Sequence, residues 1–128
     1  MPYKLLVVDD EENICNYLKE LFKLEGWEAD VAYDGYQGVK LAADNHYDII
    51  VMDILMPRMT GIEATREIMK RKPDTKIIVI TGAPYRKQAD EALEVGAKLF
   101  IKKPFSSEKI IEAVKNLVNG TDANSIVA

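Results

Sequence analysis

The stretch Ile49-Ile50-Val51-Met52-Asp53 places four consecutive apolar residues directly before a carboxylate. Two similar apolar tetrads occur elsewhere in the chain, Leu5-Leu6-Val7-Val8 and Ile77-Ile78-Val79-Ile80. Unbroken apolar runs of this length are typical of strands that are covered on both faces, as in a parallel sheet. The three tetrads therefore predict the central strands of one sheet.

A short apolar run followed by a longer amphipathic stretch occurs five times along the chain. The predicted strands are Lys4 to Val8, Glu28 to Ala32, Asp48 to Met52, Lys76 to Ile80 and Lys98 to Lys102. The intervening stretches repeat apolar residues at spacings of three and four, which predicts helices, as in Ile14, Tyr17, Leu18, Leu21 and Leu24. Strands that alternate with helices predict an α/β fold, a doubly wound five-stranded parallel sheet with helices on both faces.

Local signals predict where several helices begin and end. The first helix should end near Gly26, which can supply a left-handed cap. The third should run from Ile62 to Arg71 and end before a proline, and a fourth, weakly amphipathic helix is expected from Tyr85 to Glu94. Ser106 or Ser107 should cap the last helix.

The bulk composition predicts a single soluble domain. The chain has 128 residues, of which 48% are hydrophobic and 30% charged, and we expect residues 1–119 to form the domain and residues 120–128 a flexible tail or the start of a linker. The net charge of −4 argues against direct binding of nucleic acid. A lone cysteine, no signal-like start and no apolar run of roughly 18 residues predict a cytoplasmic protein that does not span a membrane.

The predicted strands end in residues that suit phosphoryl chemistry. In a doubly wound sheet the ligand site lies at the carboxyl ends of the strands, and these ends carry Asp9, Asp10, Asp53, Thr81 and Lys103. Three close carboxylates repel one another, and a divalent cation would relieve the repulsion. Oxygen ligands without a nearby Cys or His favour magnesium over zinc. With the metal bound, Asp53 could act as a nucleophile toward phosphorus, assisted by the Lys103 charge and backbone amides.

Four ordered motifs stand at these strand ends. They are Val7-Val8-Asp9-Asp10-Glu11, Asp53-Ile54-Leu55-Met56-Pro57-Arg58-Met59-Thr60-Gly61, Thr81-Gly82-Ala83 and Lys103-Pro104-Phe105. With these motifs, the chain from about Lys4 to Val118 resembles the receiver domains of bacterial and archaeal response regulators in two-component systems. The resemblance implies a flavodoxin-like fold with the strand order 2-1-3-4-5, an order that is known for the chemotaxis receiver.

The resemblance implies a signalling switch rather than an enzyme. Asp53 would accept a phosphoryl group from a phosphohistidine on a sensor histidine kinase or a histidine phosphotransfer protein. Magnesium, or manganese in its place, would be bound directly by Asp10 and Asp53, through water by Asp9, and by the backbone carbonyl of Leu55.

The resemblance also implies how phosphorylation is transmitted. Lys103 and the backbone of Leu55, Gly82 and Ala83 would contact the phosphoryl group, and Thr81 would swing to hydrogen-bond it. Phe100, at a position where many receivers carry tyrosine, would then turn inward and reshape the face formed by helix four, strand five and helix five. That face would meet a downstream effector or effector domain, or a second copy of the phosphorylated chain. The Lys103-Pro104 peptide is expected to be cis.

Other interpretations of the same residues remain. Asp9 and Asp10 could be ordinary helix caps, Thr81 could cap the next turn, and Lys103 could simply be solvated. An aspartyl phosphatase is a second hypothesis, although Leu55 stands where such enzymes usually carry a second aspartate. A third hypothesis is a phosphorylation-independent protein-binding module with the same fold.

Overall fold

Strands and helices alternate along the whole chain, as the apolar pattern predicts. A computed structural model describes residues 2–82, 86–120 and 125–127. The strands are β1 (Lys4–Val8), β2 (Glu28–Ala32), β3 (Ile49–Asp53), β4 (Ile77–Thr81), β5 (Leu99–Lys102) and a short β6 (Ser125–Val127). The helices are α1 (Glu12–Leu24), α2 (Gly35–Asp44), α3 (Gly61–Arg71), α4 (Arg86–Glu94) and α5 (Ser107–Val118).

The strands form one sheet in which all neighbours are parallel. Its order is β2-β1-β3-β4-β5-β6, so the first five strands have the order 2-1-3-4-5 and the predicted fold class is confirmed. The register pairs Val8 with Met52 and Asp53 with Ile80. The carboxyl ends of β1, β3 and β4 therefore lie side by side at one edge of the sheet.

Residues 125–127 differ from the predicted flexible tail or linker. They extend the sheet as β6, parallel to β5, with Leu99 opposite Ser125 and Ile101 opposite Val127. Without β6, strand β5 would present unpaired backbone N–H and C=O groups at the edge of the sheet. Ile126 and Val127 are β-branched residue types that favour extended backbone, and this short signal is the one in the sequence that indicates the strand.

The sheet is covered by apolar side chains on both faces, which explains the unbroken apolar tetrads. Successive residues of a strand point to opposite faces. One layer, toward α2, α3 and α4, contains the buried side chains of Leu6, Val8, Ile50, Met52, Ile77, Val79 and Phe100. The other, toward α1 and α5, contains those of Leu5, Val7, Ile49, Val51, Ile78, Ile80 and Leu99.

Most predicted helix boundaries agree with the structure to within one or two residues. Helix α3 begins at Gly61 behind a capping box, in which the Thr60 hydroxyl accepts from the Glu63 backbone N–H and the Glu63 side chain accepts from Thr60 N–H. The Ser106 side chain caps α5. The predicted start of α4 at Tyr85 lies outside the described residues. Within the described ranges, no helix has the length and apolar character that a membrane span requires.

Candidate functional site

The polar residues at the strand ends meet at one edge of the sheet. Asp9 and Asp10 follow β1, and Lys103 follows β5. Asp53 and Thr81 are the last residues of β3 and β4, one residue deeper in the strands than predicted, because each of these strands starts and ends one residue later. We call the group Asp9, Asp10, Asp53, Thr81 and Lys103 the carboxyl-edge site.

Three carboxylates of this site lie close enough to share a cation. Asp9, Asp10 and Asp53 each offer one oxygen, and these oxygens lie within 4.8 Å of one another. Asp9 and Asp53 are buried, with 0% and 3% of their surface exposed, whereas Asp10 is exposed. Asp9 Oδ2 has no hydrogen-bond partner among the described residues. This all-oxygen donor set suits Mg²⁺ or another hard divalent cation.

Lys103 is paired with carboxylates rather than solvated. Its Nζ lies 3.4 Å from Asp53 Oδ1, 3.6 Å from Asp9 Oδ2 and 3.6 Å from Glu11 Oε1. Its backbone N–H donates to the Thr81 carbonyl at 2.7 Å, which fixes the loop after β5 against β4. The following Lys103-Pro104 peptide is cis, as predicted.

Burial and mutual repulsion shift the ionisation of the site. Burial and then the Asp9 charge raise the pKa of Asp53 to about 7, although Lys103 opposes the shift. Burial also raises the pKa of Asp9, against the Glu11 backbone hydrogen bond and Lys103. Burial by itself would lower the pKa of Lys103, but the Asp53 and Asp9 charges reverse this, and the net shift is upward. The Asp9 and Asp53 carboxyl groups therefore ionise less readily than usual unless a cation joins them.

Thr81 and Gly82 lie at the end of β4, the strand next to the one that carries Asp53. The Thr81 side chain is fully buried, and its hydroxyl has no hydrogen-bond partner in the part of the chain that the structure describes. Buried hydroxyls normally have a partner, so this one is available for a ligand. A Cβ added at Gly82 would have no heavy atom of the described residues within 4 Å. Ala83, the third residue of this motif, lies outside the described residues.

The loop after β3 is held by a close approach at Gly61. The Gly61 N–H donates to the Ile54 carbonyl at 2.8 Å, and a side chain at this position would collide with the Asp53 carbonyl. The motif that contains Gly61 does not by itself reveal this role. A glycine directly after the Thr60 cap and before the apolar face of a helix is the signal that could have indicated it. On the same loop, Leu55 is 52% exposed.

Asp9 and Asp10 are not the helix caps that the alternative interpretation requires. Glu11 occupies the N-cap position of α1, and its side chain makes no capping hydrogen bond. Asp9 Oδ1 accepts from the Glu11 backbone N–H at 2.9 Å, which orients the carboxylate. Cys15, in the first turn of α1, donates through its Sγ to the backbone carbonyl of Asp9. Burial raises the pKa of this thiol to about 12, so it packs rather than reacts.

Phe100 lies on β5, the strand next to the one that carries Thr81. Its side chain is fully buried in the apolar layer that also contains Ala89, Ala92 and Ala97. The ring therefore already occupies an inward position, in the layer next to α4. The two predicted switch residues, Thr81 and Phe100, are thus both buried on the neighbouring strands β4 and β5.

The chain matches known proteins over most of its length. Residues 5–115 match the family model of the response regulator receiver domain. The chemotaxis protein CheY of Thermotoga maritima is 38% identical over 118 residues, which cover 91% of this chain and 98% of that protein. Several other curated regulators that match are longer, and the chain spans about half of their length.

Solved structures agree with this match. The receiver domain protein (CheY-like) of Methanospirillum hungatei is 25% identical, with a TM-score of 0.90 over 98% of this chain and 100% of that one. CheY in a CheX–CheY–BeF3–Mg complex from Borrelia burgdorferi is 31% identical, with a TM-score of 0.87 over 91% and 90% of the two chains. The site geometry, the family model and these relatives lead to the same conclusion: the chain belongs to the family of response regulator receiver domains.

Proposed function

We propose that this chain is the phosphoacceptor of a two-component phosphorelay, in which Asp53 takes a phosphoryl group from a phosphohistidine. The observation that carries the proposal is the convergence at Asp53. Two further carboxylates can share a cation with it, and Lys103 Nζ lies 3.4 Å from its Oδ1. The cation and the ammonium together would offset the charge that an incoming phosphoryl group adds to the site.

Mg²⁺ is the cofactor that we assign to the acidic cluster, with Mn²⁺ able to replace it. Asp10 and Asp53 would hold the ion directly, Asp9 through water, and the Leu55 carbonyl would complete the protein ligands. When bound, the ion neutralises charge on the carboxylates and on phosphoryl oxygens. The similar CheY from Borrelia burgdorferi was solved in a complex with BeF3 and Mg, which supports this assignment by similarity.

The chain's own residues would carry out the transfer by positioning and charge neutralisation. An Asp53 carboxylate oxygen forms the new bond to phosphorus while the bond from phosphorus to the donor's imidazole nitrogen breaks. Lys103 offers its ammonium to a phosphoryl oxygen. The buried Thr81 hydroxyl would gain a partner, which it lacks among the described residues, and the backbone of Leu55, Gly82 and Ala83 would contact the group.

The output would be a change of the face formed by α4, β5 and α5. Movement of Thr81 toward the phosphoryl group opens space next to β5, where Phe100 already points inward. The partners on this account are a sensor histidine kinase or phosphotransfer protein upstream, and an effector, an effector domain or a second copy of the chain downstream. The chain acts as a signalling switch, with turnover limited to its own Asp53 phosphate.

The proposal is tested by incubating the chain with acetyl phosphate and Mg²⁺ and measuring its intact mass. Wild type should gain one phosphoryl group, and Asp53→Asn or removal of Mg²⁺ should abolish the gain. No gain in the wild type, or an equal gain in the variant, would refute the proposal. Partner binding that is unchanged by Asp53→Asn would instead favour a phosphorylation-independent binding module.

A further inference from the structure

Lys103 contacts a third carboxylate in addition to those of Asp53 and Asp9. Glu11 Oε1 lies 3.6 Å from Lys103 Nζ, as close as Asp9 Oδ2. Glu11 differs from the other two because it is not part of the acidic cluster that could hold a cation. Its side chain is 63% exposed, whereas that of Lys103 is 21% exposed. Glu11 therefore approaches the ammonium from the solvent-facing rim of the site.

The backbone of Glu11 is fixed, and its carboxylate is available for this contact. The Glu11 N–H donates to Asp9 Oδ1 at 2.9 Å. Its carbonyl accepts from the N–H groups of Ile14 and Cys15 at the start of α1. Although Glu11 occupies the N-cap position, its side chain makes no capping bond. Because Glu11 lies between the end of β1 and the start of α1, its carboxylate contacts Lys103 rather than the free N–H groups of the helix.

We infer that Glu11 is a positioning residue that restrains Lys103 and thereby slows the reaction at Asp53 while favouring the cation; the inference rests on the proposed function. An ammonium has three N–H donors, and three carboxylates surround this one. A phosphoryl group on Asp53 would compete for the same donors. Asp9 and Asp53 would then be engaged with the cation, but Glu11 would continue to hold the lysine.

The charge of Glu11 should have opposite effects on the two ligands of the site, the phosphodonor and the cation. A negative charge beside Lys103 repels an anionic phosphodonor and weakens the lysine's attraction for phosphoryl oxygens. The same charge attracts a divalent cation. Removing it should therefore raise the phosphorylation rate and lower the affinity for Mg²⁺. Each effect should be roughly two- to five-fold, since Glu11 is largely exposed and its charge is screened by solvent.

The test compares Glu11→Gln with Glu12→Gln. Glu12 is the exposed neighbouring residue in the first turn of α1, so the two variants make the same chemical change one position apart. The rate of phosphate uptake from acetyl phosphate is measured at saturating Mg²⁺, and the Mg²⁺ affinity is measured separately by calorimetry without phosphodonor. Glu11→Gln should be faster than wild type and bind Mg²⁺ more weakly, and Glu12→Gln should match wild type in both.

Three results would overturn the inference: equal changes in both variants, no change in Glu11→Gln, or a rate and an affinity that change in the same direction. Glu11→Asp, which keeps the charge, should recover the wild-type Mg²⁺ affinity, and this shows that charge rather than a folding defect is responsible. A wild type that takes up no phosphate would refute the proposed function and this inference together. A wild type that takes it up normally, with Glu11→Gln unchanged, would refute the inference alone.

Discussion

The amino edge and the carboxyl edge of the sheet carry similar polar residues, but these residues differ in how fully they are paired. At the amino edge, where the strands begin, the Tyr47 hydroxyl donates to Asp30 at 2.7 Å and the Lys4 backbone N–H donates to Asp48 at 2.8 Å. Lys76 Nζ donates to the Leu117 carbonyl at 2.8 Å. Each of these polar groups has a partner of matching type, so this edge ties strands and helices together.

At the carboxyl edge, by contrast, several polar groups share one partner or have none among the described residues. One ammonium serves three carboxylates, and the Thr81 hydroxyl and Asp9 Oδ2 find no hydrogen-bond partner within the described ranges. The amino edge, by contrast, has a cavity of about 520 Å³, lined by residues that include Tyr47, Lys72, Lys76 and Val118. The shared ammonium and the close carboxylates, rather than cavity size, therefore distinguish the carboxyl edge, to which we assign ligand binding.

The largest difference between the two edges is expected from substituting their partly buried lysines, Lys103 at the carboxyl edge and Lys76 at the amino edge. Lys103→Met should slow phosphate uptake at Asp53 by roughly 100-fold or more, because it removes a preorganised positive charge from the transition state. Lys76→Met should leave the uptake unchanged and destabilise the fold by about 1 kcal/mol through loss of the bond to Leu117. Initial rates with acetyl phosphate and urea unfolding measure the two effects. Equal rates for the two variants would remove the distinction between the edges.

Asp53 should destabilise the fold at neutral pH when divalent cations are absent. Its pKa is raised to about 7 in the folded chain, mainly by burial and the Asp9 charge. Between the unfolded value near 4 and pH 7 the folded state binds more protons than the unfolded state, so stability falls as pH rises through this window. Asp53→Asn should therefore be more stable than wild type by about 1–3 kcal/mol at pH 8 in EDTA, with a smaller difference at pH 4.

Unfolding by urea at both pH values checks this expectation, with Asp30→Asn at the amino edge as the matched control. Asp30→Asn should show no comparable gain at pH 8. Addition of Mg²⁺ should stabilise the wild type and narrow its gap to Asp53→Asn. A wild type that is more stable than Asp53→Asn at pH 8 in EDTA would contradict the account of a strained acidic cluster.

Removal of the buried Thr81 hydroxyl and of the nearly buried Tyr47 hydroxyl should have opposite effects on phosphate uptake and stability. Thr81→Ala deletes a hydroxyl without a partner in the described structure, so stability should change by less than about 0.5 kcal/mol while phosphate uptake slows. Tyr47→Phe deletes a hydroxyl that donates to Asp30, so stability should fall by about 1 kcal/mol with uptake unchanged. Thermal unfolding and uptake rates of both variants, measured side by side, provide the test. A large loss of stability in Thr81→Ala would show that its hydroxyl is structural.

The sequence predicts the fold well because each apolar tetrad is followed directly by a polar residue of the site, so that both signals indicate where the strand ends. Ile49 to Asp53 show both signals. Burial on both faces of the sheet requires four apolar residues in a row, and the carboxyl edge of the sheet accommodates the Asp53 carboxylate. The one-residue shift of β3 and β4 was not predicted, because periodicity does not separate the last strand residue from the first loop residue. The pairing of β6 with β5 was missed for a related reason, since three residues are too few to show a period.

The site can be predicted from the sequence as a set of residues, but its internal contacts cannot. The motifs indicate Asp9, Asp10, Asp53, Thr81 and Lys103, since each stands at the end of a predicted strand. Glu11 belongs to one of these motifs, but the pattern does not indicate its role, because its contact with Lys103 joins residues 92 positions apart. The collision that excludes a side chain at Gly61 likewise depends on the distance between two backbones. Such contacts follow from the three-dimensional fold rather than from local pattern.

Equilibrium binding of Mg²⁺ is the sharpest test of whether Asp10 and Asp53 hold a cation, because it requires neither a kinase nor a phosphodonor. Calorimetry of the wild type should show one site at the carboxyl edge. Asp10→Asn and Asp53→Asn should each weaken binding by roughly 10-fold or more, since each removes a charged ligand, while Asp30→Asn should bind as the wild type does. Binding that survives in Asp10→Asn and Asp53→Asn, or is absent from the wild type, would contradict the claim that these carboxylates converge to hold a cation.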